Sequence, residues 1–142
     1  MTRRRSALAG AAATIAWAAV EPIDRRVFRC DYSDVALLGK WVTRSRWWPV
    51  AGLVFHAANG AAFGLAFDEV RRRTGRPPRR LAFELAMAEN FGLYPLAYVV
   101  DTRHPARGER GVPPLLTNPR ALAQATVRHA LFGFLLGRWA AG

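Results

Sequence analysis

Four apolar runs punctuate the chain. ALAGAAATIAWAAV covers Ala7–Val20 and extends toward Ile23; VAGLVFHAANGAAFGLAF covers Val50–Phe67. LAFELAMAENFGLYPLAYVV covers Leu81–Val100, and ALAQATVRHALFGFLLGRWAA covers Ala121–Ala141. A helix needs about 17–25 residues to cross a bilayer core. The second and third runs meet that length cleanly. The first meets it only marginally, as does the fourth, which Arg128 and Arg138 interrupt. Backbone amides in hydrocarbon must be satisfied within their own segment, so each run predicts a helix. The expectation is an all-α, four-helix transmembrane bundle in a single membrane domain over residues 1–142. The stretches Glu21–Pro49 and Asp101–Arg120 read as loops, the latter from its proline and glycine content. Pro22 and Pro95 fall near the outer ends of the first and third helices, and Pro22, flanked by Glu21 and Asp24, reads as a helix end.

The second and fourth runs share a frame. FHAANGAAFG begins at Phe55 and RHALFGFLLG at Arg128, and both contain His-x-x-x-Gly-x-x-x-Gly. One ungapped offset superposes His56 on His129, Gly60 on Gly133, Gly64 on Gly137 and Pro22 on Pro95. The match spans both helices of each half, which predicts two parallel helical-hairpin repeats at about 7–69 and 80–141. A pseudo-two-fold axis along the membrane normal would relate them. A rival reading makes Arg3–Arg5, the first run and Ala16-Trp17-Ala18 a cleaved signal peptide. Cleavage would destroy the repeat.

Charge sharpens the membrane reading. The 142 residues are 51% hydrophobic with a formal net charge of +11, and Lys40 is the sole lysine among 21 basic residues. The mean hydropathy of 0.00 would suit a soluble protein. However, the charges cluster in RRR (Arg3–Arg5), DRRVFR (Asp24–Arg29), RRRTGRPPRR (Arg71–Arg80) and RHPARGER (Arg103–Arg110). A soluble basic helical protein would interleave its arginines at helical spacing. The short basic loop Arg71–Arg80, with Arg3–Arg5, places both termini in the cytoplasm of a cell (inner) membrane. That loop also suits anionic lipid headgroups. Trp47, Trp48, Tyr98 and Trp139 sit where interfacial aromatics are expected. No nucleic-acid-binding motif accompanies the charge, so no nucleic-acid partner is expected. The lone Cys30 excludes an internal disulfide.

The polar residues inside the apolar runs carry the candidate chemistry. Gly60, Gly64, Gly133 and Gly137 form small-residue stripes for helix packing. His56, Asn59, Glu89, Asn90, Arg128 and His129 form a candidate intramembrane polar centre, because ionisable groups in hydrocarbon are costly and often functional. Depth along the helices predicts that Glu89 and Arg128 meet as an ion pair. His56 and His129 have several readings: hydrogen bonds to neighbouring helices, a polar relay for protons or a small solute, or axial ligands of one haem. A metal site using both histidines and Glu89 lacks the Glu-x-x-His or His-Glu-x-x-His spacing. Asp101, Arg103 and His104 read as part of a solvated loop. No phosphate-binding loop or nucleophile–base motif is present.

With these spans, frames and the Tyr94-Pro95 element, the chain resembles small uncharacterised four-helix bacterial integral membrane proteins. The resemblance implies the bundle and the membrane location, and no activity. The leading expectation is a non-enzymatic membrane protein of assembly or accessory type, with a membrane-protein partner or a second copy. The alternatives are a transport module for protons, ions or small polar solutes, a haem-binding electron-transfer protein, and a soluble basic helical protein.

Overall fold

The computed structural model describes residues 2–141. Among them the regular structure is helical: α1 (Arg3–Val27), α2 (Asp34–Val42), α3 (Trp48–Thr74), α4 (Pro78–Gly92), α5 (Ala97–Arg103) and α6 (Pro119–Ala141), with a 3₁₀ turn at Tyr94–Leu96. No strand is present among the described residues; Tyr32 and Gly111 make an isolated parallel bridge.

Three sequence expectations need correction. Pro22 lies inside α1 and does not end it. Glu21 and Asp24 on either side are buried and hydrogen-bonded, and this anchoring offsets the backbone bond that proline removes. Glu21–Pro49 is not simply a loop, because it contains α2. Ser33 caps α2 by accepting from the Ala36 N–H, and Glu21 accepts from the Asp34 N–H at 2.9 Å. The third run is not one helix. Chain direction changes after Gly92, where Pro95 lacks an N–H to donate and disfavours helical backbone at Tyr94.

α1 runs antiparallel to α3 and to α6, and α4 runs antiparallel to α6. α2 lies across the start of α3, while α3 and α4 scarcely touch. The antiparallel pairs approach through glycine. A Cβ on Gly10 would lie 1.9 Å from the Gly60 carbonyl oxygen, and one on Gly64 would lie 2.1 Å from the Ser6 carbonyl oxygen. In the other pair, a Cβ on Gly133 would lie 2.9 Å from the Phe83 Cα, and one on Gly137 would lie 2.8 Å from the Arg79 Cα. The offset that carries His56 onto His129 also carries Gly10 onto Phe83 and Ser6 onto Arg79, so the two pairs touch at equivalent positions. α3 ends at Gly75, whose φ of 64° supplies the left-handed cap that L side chains resist.

The core is small and aromatic, with Trp17, Phe67, Leu81, Phe132 and Leu136 packed among alanines. Several polar residues are buried and several large apolar ones exposed. Arg128, Gln124, Asp68, Asp24 and Glu21 are buried, while Leu8, Ile15, Val54, Phe55, Phe83 and Phe134 face outward. α1 and α3 are long and apolar enough to cross a membrane, and only 33% and 28% of their apolar windows are buried.

Candidate functional site: a charged clamp beside an open cavity

The deepest charge is Arg128 on α6, only 1% exposed. Its Nε donates to Asp24 Oδ2 at 2.5 Å and its Nη2 to Asp24 Oδ1 at 2.6 Å, a bidentate pair with α1. Nη1 donates to Asp34 Oδ2 at 2.7 Å, and Nη2 also reaches the Tyr32 carbonyl at 2.9 Å. Glu21 lies 3.7 Å from Nη1 and accepts from the Ser33 hydroxyl at 2.5 Å. Gln124 donates to Asp24 at 2.6 Å. This clamp ties α6 to α1 and to the start of α2.

Two groups of the clamp show its field. Burial pushes the Asp34 carboxyl up, but the Arg128 guanidinium and further neighbours more than reverse this, holding it below its ordinary 3.8. Burial, then the negative charge of Asp34, pushes the Tyr32 hydroxyl well above its ordinary value, so Tyr32 stays a neutral donor to Asp34 at 2.5 Å.

Beside the clamp lies a cavity of about 420 Å³. It occupies the seam where α3 and α4 scarcely touch, and exposed Asn59, Leu93 and Leu96 rim its mouth. Trp17 and Phe132 line it from α1 and α6, and Leu37, Val100, Leu115 and Leu122 add apolar lining. Its polar lining includes His56, Glu89, Asn90, Tyr94 and His129. His129 Nδ1 donates to the Ala125 carbonyl at 2.8 Å, and its Nε2, an acceptor in the neutral imidazole, lies 3.7 Å from Glu89. Asn90 donates to the Thr126 hydroxyl at 2.9 Å. His56 is 5% exposed and makes no hydrogen bond to any described residue.

Comparison with known proteins adds no relative: no family model, curated protein or solved structure matches the chain. The site therefore has to be interpreted from its own geometry.

That geometry separates residues the sequence had grouped. His56, Asn59, Glu89, Asn90 and His129 do line one cavity. Arg128 does not join them, and its expected pairing with Glu89 is replaced by Asp24 and Asp34. The reason is positional: Asp24 lies on a helix packed along α6, and Asp34 follows where the chain turns back. Nor do the histidines offer a shared haem site. Both rings pack edge-on against Trp17, with centroids 5.0 Å and 4.6 Å away, and α1 stands between α3 and α6. A haem ligated by both would need the space Trp17 fills. No group of three or more metal-ligating side chains gathers among the described residues.

The stretch 104–118 is only in part a solvated loop: Arg107–Arg110 are exposed, while other residues are anchored in the protein. His104 is fully buried, its Nε2 donating to the Leu37 carbonyl at 2.8 Å while its Nδ1 accepts from the Ala106 N–H. Asp101 accepts from the Leu115 and Leu116 N–H groups. Sequence reasoning missed Trp17 and the clamp acids Glu21, Asp24 and Asp34. One available signal was an arginine buried in an apolar run, which demands a carboxylate from somewhere.

Proposed function

We propose that the chain is a small polytopic integral membrane protein with a non-enzymatic, binding or accessory role, centred on the cavity between α3 and α4. The observation that carries this reading is a set of charges and amides buried beside the apolar core together with many large apolar side chains on the outside. In water such a surface would associate, whereas lipid solvates it. α1, α3 and α6 act as continuous crossings, and α4 with the turn and α5 acts as a broken one. The glycine contacts repeated at equivalent positions of the two halves support descent from a duplicated hairpin. We place the end holding both termini in the cytoplasm on its compact basic loop Arg71–Arg80, against a similar number of basic residues spread over the longer loops of the opposite end. Membrane fractionation followed by detergent extraction tests the reading; recovery of folded protein in the aqueous fraction would sink it.

Glu89 beside His129 in the cavity favours a second reading, conduction of protons or a small polar solute. Proton flux into liposomes, abolished in Glu89→Gln, is its expected signature.

A further inference from the structure

The bilayer reading makes the cavity mouth a lateral one, since α3 and α4 part along the side of the bundle. Resting on that reading, we propose that the cavity binds a neutral amphiphile drawn from the bilayer, an apolar chain with a hydroxyl or carbonyl head, and that His56 anchors the head. Its volume lies within the range of small-molecule sites, and its lining is mainly apolar with few polar groups, as such sites are.

The head is selected by what the cavity lacks and what it leaves unpaired. No lysine or arginine lines it among the described residues. Arg128 is sealed, with Asp24, Asp34 and the Tyr32 carbonyl taking its donors. An anionic head would therefore meet Glu89 with no cation to offset it. A neutral oxygen head meets groups that want partners. His56 lines the cavity at 5% exposure and its Nε2 has no hydrogen-bond partner, and a buried unpartnered polar group costs about 1–3 kcal/mol. His129 also lines the cavity, its Nε2 an acceptor in the neutral imidazole. A hydroxyl can pair with the His56 imidazole that lines the cavity. The chain then lies against Leu93 and Leu96 toward the mouth.

The test uses the full-length protein in neutral detergent and a diazirine-bearing monodecanoyl glycerol as photoprobe. Saturable labelling is expected on the peptides around Asn59–Phe63 and Leu93–Val100. Unlabelled monodecanoyl glycerol should compete, and decyl phosphate should compete about tenfold less well, the discrimination expected from one matched hydrogen bond. His56→Phe should weaken labelling about tenfold while the protein stays monodisperse. Ala125→Phe, which fills the cavity without removing a polar group, should abolish it. Non-saturable labelling of outward residues such as Val54 and Phe134, or labelling unchanged in folded Ala125→Phe, overturns the proposal. Equal competition by decyl phosphate overturns the head-group assignment. These failures in protein extracted from membranes would leave the membrane reading standing, whereas an aqueous, folded chain would remove it whatever the labelling.

Discussion

The seam between α1 and α6 is closed; the seam between α4 and α3 is open. The two seams join equivalent positions under the offset that carries His56 onto His129. In the closed seam Trp17 packs on His129, and Asp24 holds Arg128 bidentately. Under the same offset Trp17 corresponds to Asn90, Asp24 to Ala97, and Arg128 to Phe55. The open seam thus keeps the histidine, His56, but has lost the indole that filled the space and the ion pair that drew the helices together. The cavity follows both from side-chain identity and from the path of the chain, which runs unbroken through Pro22 in α1 but breaks after Gly92, where Leu93–Val100 supply part of the lining. The closed seam satisfies its polar groups within the protein, and the open one leaves His56 to a guest.

Breaking the clamp is the strongest way to erase the contrast. Arg128→Met leaves Asp24, Asp34 and Glu21 buried without a cation, and should cost about 3–5 kcal/mol. Size exclusion in detergent should show the monodisperse peak collapse, with Arg128→Lys intermediate because it keeps charge and loses the fork. A wild-type profile for Arg128→Met would mean the clamp does not close the seam. Gly10→Ala follows: a methyl cannot coexist with the Gly60 carbonyl 1.9 Å away, so α1 and α3 must separate at a cost of about 1–3 kcal/mol. A thermal melt in detergent reads this, and no loss there would show that α1 shifts freely.

Acid offers a gentler handle on the same seam. Because Asp34 titrates below its ordinary 3.8 in the folded protein, its contribution is fully present above about pH 4 and is lost as pH falls through the folded value. Melting temperature followed downward from pH 5 should hold and then drop, and Asp34→Asn should remove that part of the drop. The smallest effect is expected in the open seam. His56→Phe removes no hydrogen bond made within the protein and keeps a ring against Trp17, so it should change stability by under about 1.5 kcal/mol. A loss as large as that of Arg128→Met would show that His56 holds the seam, not a ligand.

The apolar runs determined the helices by themselves, because a long apolar segment has few ways to satisfy its amides. Three of the four runs became long helices, and the glycine frames marked where α3 and α6 meet their antiparallel neighbours. The polar residues within the apolar runs were visible as anomalies, since a histidine or arginine stands out against alanine and leucine. Their partners were not visible. Arg128 is 104 residues from Asp24 and 94 from Asp34, and local pattern carries no information about pairing across such separations. The same holds for α2, short and formed where Glu21 from another helix caps it, and for the break after Gly92. The cavity belongs wholly to the tertiary structure. Its existence depends on Trp17 and Asn90 standing at equivalent positions with different volumes and on the break after Gly92, differences that acquire meaning only once the helices are placed side by side.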